Sequence, residues 1–239
     1  ETARPFHDWN TRINFECYAP NAAARILDQE GWIVKIRNNY NRISFNFGPT
    51  LLSWLEENDP DAYDLLLKAD KRSAERFGGH GSAVAQVHSH LIMPLANYRD
   101  KVTQLYWGIQ DFEKRFQRYP EGIWLAETAV DTETLEVLAS HGIQYTILAP
   151  RQAKAVRRMK TTTAEPGAWQ SVSAETVDTR HPYWCLLPSG RRIALYFYHG
   201  GIAQEVAFNG LLNSGKALAN RLTSVFDDNE IPQLSHIAT

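Results

Sequence analysis

The stretch Gly122-Ile123-Trp124-Leu125-Ala126-Glu127-Thr128 decides the reading of this chain. Ile123 to Ala126 is a short apolar run set off by Pro120 and Gly122, the pattern of a buried strand. Glu127 follows directly at its end. Beyond it Val130, Leu135, Val137 and Leu138 recur at helical spacing, with Asp131 and Thr132 as N-cap residues and Gly142 as the stop. A second apolar run, Tyr145 to Ala149, completes a β-α-β unit between Pro120 and Pro150. A carboxyl group at the C-terminal tip of such a strand sits where α/β sheets and β/α barrels place their chemistry. A lone glutamate there also reads as a solvated loop acid or a helix cap. Trp124 tilts the balance, because an aromatic ring and acidic groups flanking one pocket are what a sugar-handling site needs.

The chain has 239 residues, enough for one barrel-sized unit or two small domains. Hydrophobic residues at 44% and charged residues at 22% describe a soluble globular protein. A net charge of −2 with no basic run gives no footprint for nucleic acid. No apolar stretch is long enough to span a bilayer and no leader opens the chain, so a cytoplasmic location is expected. Cys17 and Cys185 have no metal spacing, and their pairing is not readable from sequence. Seven tryptophans are mostly core material, although carbohydrate sites also favour flat aromatic platforms.

Outward from the central stretch, Pro5 to Asn14 has no clear period and reads as a loop. Asn21 to about Gln29, alanine-rich and stopped by Gly31, predicts a helix. Trp32 to Asn39 reads as a short helix or irregular turn. Arg42 to Phe47 alternates and is bounded by Gly48-Pro49, which predicts a strand. Helices are expected after Pro49 and Pro60, a short strand over Ser82 to Val87, and an amphipathic helix over Tyr98 to Phe116. After Pro150 the pattern predicts a helix over Arg151 to Arg158, then an exposed loop through Thr161-Thr162-Thr163. Next come a hairpin of Tyr183 to Leu187 with Ile193 to His199, helices over Ile202 to Phe208 and Ser214 to Phe226, and a last strand over Pro232 to Thr239. No repeat or linker interrupts this order, so residues 1–239 are expected to form a single β/α domain.

His88 and His90 alternate around Ser89, so on a strand both would face one side, as two ligands of a metal might. His80 and Asp100 could serve as further ligands, but no HExxH or paired CxxC spacing supports them. No nucleophile elbow or phosphate-cradling glycine motif is present.

Taken together, these segments closely resemble glycoside hydrolase family 57. Gly122 to Glu127 with the following helix and Gly142 to Leu148 resembles the family's nucleophile region, and Gly81 to Leu95 its second conserved region. Ile43 to Pro49 with Leu51-Leu52 is similar to a barrel strand and its helix, and Tyr196 to Phe208 to the segment leading towards the catalytic acid. The resemblance implies an incomplete (β/α)7-type barrel that cleaves or transfers α-glucosidic bonds by a retaining mechanism, with no metal or other cofactor. Glu127 would be the nucleophile, and Trp124, Asn46, His90, His199 and Asp131 would contact an α-glucan or oligosaccharide substrate. Retaining chemistry also needs a second carboxyl group ~5 Å away. The resemblance puts that acid just past a strand like Leu234 to Thr239, and a first strand before Glu1, so the chain is expected to be cut at both ends. Asp131, Asp178 and Glu205 are the carboxyl groups within the chain that could substitute. The competing readings are a metal-dependent polysaccharide deacetylase with His88 and His90 as ligands, a non-catalytic glycan-binding remnant, and a purely structural module.

Overall fold

The computed structural model describes residues 2–160, 162 and 164–238. The expected ends at Glu1 and Thr239, and Thr161 and Thr163 in the polar loop, lie outside the described residues. The chain divides into two compact units, Glu1–Ala129 and Val130–Thr239.

In the first unit, helix α1 spans Trp9–Ile13, where the sequence predicts a loop. Asp8 makes the difference, since its carboxylate accepts the Thr11 N–H at 2.8 Å and starts the turn. The alanine-rich stretch also departs from expectation. Helix α2 covers only Ala19–Ala22, and Ala24–Leu27 is strand β1, paired antiparallel with strand β2, Ile33–Arg37. Asp28 closes the hairpin by accepting the N–H groups of Glu30 and Trp32 at 3.1 and 2.8 Å. Cross-strand pairing outweighs the intrinsic helix preference of alanine, a margin of only tenths of a kcal/mol per residue, ~0.7 at most.

Arg42 to Phe47 is not a full strand; it contributes one parallel bridge, Phe45 to Ala83. Helix α3, Pro49–Asn58, and helix α4, Pro60–Arg76, follow as expected. Asp59 caps α4 by accepting the Ala62 N–H at 3.0 Å. Strand β3, Ala85–Gln86, then leads to helix α5, Tyr98–Phe116, capped by Asn97 through the Asp100 N–H. Strand β4, Gly122–Trp124, lies parallel to β3, with Ala85 opposite Ile123 and Gln86 opposite Trp124. Helix α5 buries Leu105, Gly108, Ile109 and Phe112 on one face. Gly108 is required there: a Cβ would sit 2.2 Å from the Gln86 carbonyl oxygen, so only glycine lets the helix approach β3 this closely.

Helix α6, Thr132–Ser140, opens the second unit and is capped by Asp131, whose carboxylate accepts the Thr134 N–H at 2.7 Å. Strand β5, Tyr145–Leu148, comes next. The helix expected over Arg151 to Arg158 is instead a single 3-10 turn, Pro150–Gln152, followed by strand β6, Ala155–Val156, which pairs with strand β7, Gln170–Ser171. Here the Gln152 side chain accepts the Ala149 N–H at 2.8 Å and closes the turn, which takes the place of helical propagation. Strand β8, Tyr183–Leu186, and strand β9, Arg192–Phe197, form the expected antiparallel hairpin, and β9 is parallel to β5. Leu148, Val177 and Phe197 form one buried apolar cluster of this unit. Helix α7, Gly200–Phe208, and helix α8, Gly215–Thr223, complete it. Residues 232–238 do not form the expected strand. They are held by isolated backbone bonds, Leu234 N–H to Arg180 and His199 N–H to His236, both 2.9 Å.

Candidate active site

In the first unit β3 and β4 run parallel, so the segments leaving their C-terminal ends emerge on one side. Those segments carry His90 and Glu127. Leu125 is fully buried and anchors the turn that follows β4. Thr128 N–H bonds to the Leu125 carbonyl and Ala129 N–H to that of Ala126, each at 2.9 Å, which lifts the Glu127 side chain into solvent. Glu127 Oε1 lies 4.0 Å from His90 Nε2, and both side chains are exposed. That separation exceeds a direct hydrogen bond and leaves both groups accessible.

The backbone here is strained. Among the described residues, four non-glycine residues have positive φ, and three of them are His90 (46°), Glu127 (54°) and Thr128 (55°). Left-handed backbone at such residues costs ~1–3 kcal/mol each and concentrates at functional sites. The fourth, Gln117, ends α5.

His88 and His90 do not share a strand face. Strand β3 stops at Gln86, and α5 captures the next turn: His88 N–H donates to the Gln104 carbonyl at 3.1 Å and Ser89 N–H to the Gln104 side chain at 2.9 Å. The His88 ring then meets Trp107 edge-on, 5.7 Å between centroids, while His90 turns towards Glu127. Gln104 and Trp107 thus shape the site although no motif marks them. Their only sequence signal is an i, i+3 spacing on the polar face of α5.

Asn46 spends its amide hydrogens on the carbonyls of Val84 and Ala85, at 2.9 and 3.1 Å, so its side-chain oxygen is the group left to meet a ligand. Trp124 is half-buried and stands opposite Gln86, on the other face of β4 from the buried Ile123 and Leu125. Asp131 and His199 belong to the second unit and both cap helices: His199 Nδ1 accepts the Ile202 N–H at 3.2 Å, which puts the ring proton on Nε2. Among the described residues no three His, Cys, Asp or Glu side chains are grouped to hold a metal ion. No helix among them is long and apolar enough to cross a membrane.

Two of the three carboxyl groups that could substitute as proton donors, Asp178 and Glu205, are poorly suited to it. Asp178 is gripped by Arg180 at 2.9 Å and Glu205 by Arg221 at 2.9 Å. Hydrogen bonds from those guanidinium groups hold both carboxyls below the usual carboxylate range. A general acid needs the opposite shift.

Residues 11–236 match the model of the family described as glycosyl hydrolase family 57. The chain belongs to glycosyl hydrolase family 57. This family 57 chain is 31% identical over 106 residues to alpha-amylase 1 of Dictyoglomus thermophilum, an alignment covering 44% of this chain and 15% of that protein. It is 27% identical over 107 residues to the 4-alpha-glucanotransferase of Thermococcus litoralis, covering 45% and 15%. Among solved structures, an exo-type maltose-forming amylase from Pyrococcus sp. ST04 matches with a TM-score of 0.67 at 15% identity, over 97% of this chain and 34% of that one. The Thermococcus litoralis enzyme matches with a TM-score of 0.59 at 20% identity, over 80% and 26%. At these identities the structures establish the fold: α/β, of the (β/α)7-barrel type found in family 57.

Proposed function

We propose that the protein acts on α-glucosidic bonds by a retaining double displacement in which Glu127 is the nucleophile. A Glu127 carboxylate oxygen bonds to the anomeric carbon as the glycosidic C–O bond breaks, and an acid protonates the departing oxygen. Water or a sugar hydroxyl then attacks the same carbon, the glycosyl–Glu127 bond breaks, and the acid residue, now a base, takes the proton. His90 is proposed to orient Glu127 or a sugar hydroxyl, Trp124 to pack against a pyranose face, and Asn46 to accept from a hydroxyl. Asp131 and His199 are proposed as further substrate contacts. The acid/base is proposed to lie after Thr239, where the family resemblance puts it.

The observation that carries this reading is Glu127 on a strained turn at the C-terminal end of β4, accessible and facing His90, in a family 57 chain. The test is turnover of maltooligosaccharides by the full-length protein and its Glu127→Gln variant, with glycan binding measured alongside. Loss of turnover by at least ~10³-fold with binding retained is expected. Wild-type turnover in the variant would refute the nucleophile. If the acid lies after Thr239, the 239 residues alone should be slower than the full-length protein by ~10²–10⁴ on unactivated substrates.

A metal-dependent deacetylase would need His88 and His90 on one cation, whereas His88 faces Trp107 and His90 faces Glu127. One zinc per chain after purification without chelator would revive that reading. Glycan binding with no turnover at full length would favour the non-catalytic one.

A further inference from the structure

A second cleft in the first unit, about 690 Å³, is lined by Arg37, Arg42, Arg72, Arg76, Asn41 and Phe77 together with two further asparagines. It lies at the end of the strands opposite to Glu127. Asp70 on helix α4 accepts the Ala83 N–H at 2.7 Å just before β3, so Arg72 and Arg76, further along the same helix, sit near the N-terminal end of that strand. Ser82 Oγ donates to the Tyr40 carbonyl at 2.8 Å, which fixes the loop of residues 39–41 to the same end.

The chemistry of the lining is one-sided. Four guanidinium groups converge with no acidic residue among the lining side chains, and none of the four pairs with a carboxylate among the described residues. Three other arginines of this unit hold acids: Arg12 with Glu16, Arg115 with Asp111 and Glu56, Arg118 with Asp70. Arg76 is further held over the Phe77 ring, 5.3 Å from its centroid. Gathering like charges costs energy unless an anion offsets it, and planar guanidinium forks match phosphate oxygens bidentately. An independent observation concerns Asn41, whose side-chain oxygen is buried without a hydrogen-bond partner among the described residues. An orphaned acceptor calls for a donor. A phosphate monoester in its dianionic form offers none, whereas a sugar hydroxyl does. The volume falls within the ~300–1,000 Å³ of small-ligand sites.

We propose that this cleft binds a phosphorylated sugar, the phosphate among Arg37, Arg42, Arg72 and Arg76 and a sugar hydroxyl donating to Asn41. The source is either a free sugar phosphate or a phosphate monoester carried on a glucan chain. Binding there is separate from the bond-cleaving site, because the two lie at opposite ends of the parallel strands.

The test is calorimetric titration of the full chain at low ionic strength with inorganic phosphate, glucose 1-phosphate, a phosphorylated maltooligosaccharide and unphosphorylated glucose. Either phosphorylated sugar should bind more tightly than inorganic phosphate, glucose should not bind, and added salt should weaken binding. The phosphorylated ligand whose binding the arginine variants weaken more identifies the source. Arg72→Glu with Arg76→Glu should weaken binding by at least ~10-fold, and Asn41→Ala should weaken the sugar phosphates. Circular dichroism checks folding, and Arg37→Ala serves if the double variant unfolds. No binding of either phosphorylated sugar, binding unaffected by the arginine variants, or inorganic phosphate binding as tightly as the sugars would overturn the proposal. Because Glu127→Gln should leave this binding intact, failure here is distinguishable from failure of the catalytic reading.

Discussion

Glu127 and His90 face each other across 4.0 Å from two different strand ends, and both hold left-handed backbone. Glycine adopts that backbone without the Cβ penalty. Glu127→Gly should therefore raise stability by ~1 kcal/mol while removing activity, whereas Glu127→Gln leaves stability unchanged. Urea unfolding of the two variants checks this. A destabilised Glu127→Gly would show that the turn is not under strain.

Gln117 is the control for that argument. It ends α5 at φ 55° on the surface, far in role from the chemistry. Gln117→Gly should stabilise by ~0.5–1 kcal/mol with activity untouched. A lowered melting temperature would contradict it.

Asp70 and Arg118 form the buried clamp of the first unit. Arg118 donates twice to Asp70, at 2.8 and 2.9 Å, and once to the Ala83 carbonyl, while Asp70 accepts the Ala83 N–H at 2.7 Å. Asp70→Ala leaves a guanidinium without its counter-charge and a backbone N–H unsatisfied beside the start of β3, so a loss of ~3–5 kcal/mol is expected. Arg118→Lys should not restore the native value, since one ammonium cannot reproduce the fork. Equilibrium unfolding that shifts by under ~1 kcal/mol for Asp70→Ala would mean the clamp is dispensable.

Gly108→Val should destabilise by ~1–3 kcal/mol, because the added carbons collide with the Gln86 carbonyl and push α5 off β3. The His88–Ser89 turn hangs from Gln104 on the same helix, so the variant should also lose glycan affinity. Thermal melts and binding titrations read the two effects separately. Unchanged values in both would show that α5 and β3 have slack at this point.

Burial holds the His236 imidazole below its ordinary value of 6.5. The folded state therefore binds its proton less readily than the unfolded chain does. The stability from neutral His236 is fully present above pH 6.5 and is lost as pH falls below it towards the folded value. Melting temperature should drop between pH 7 and 5, and His236→Phe should flatten that drop by keeping the ring contact with Tyr196 while removing the proton site. A variant with the same slope as the parent would assign the acid sensitivity to other groups.

What the sequence determined by itself was the order of strong elements and the place of Glu127. Helix α5 has the bounds its apolar period predicts, and α3, α4 and the β8–β9 hairpin follow from proline, glycine and alternation signals. These are local effects, set by side-chain period and caps, so the chain states them openly. Tertiary structure decided the rest. Ala24–Leu27 became a strand only because Ile33–Arg37 was there to pair with it. The separation of His88 from His90 depended on Gln104 and Trp107, some fifteen residues downstream, capturing the turn. The left-handed turn at Glu127 and the gathering of four arginines from a strand end, a loop and a helix C-terminus are likewise non-local. Such features rest on contacts between segments distant in sequence, whose free energies exceed the few tenths of a kcal/mol, about 0.3–0.7 per residue, that local preference supplies.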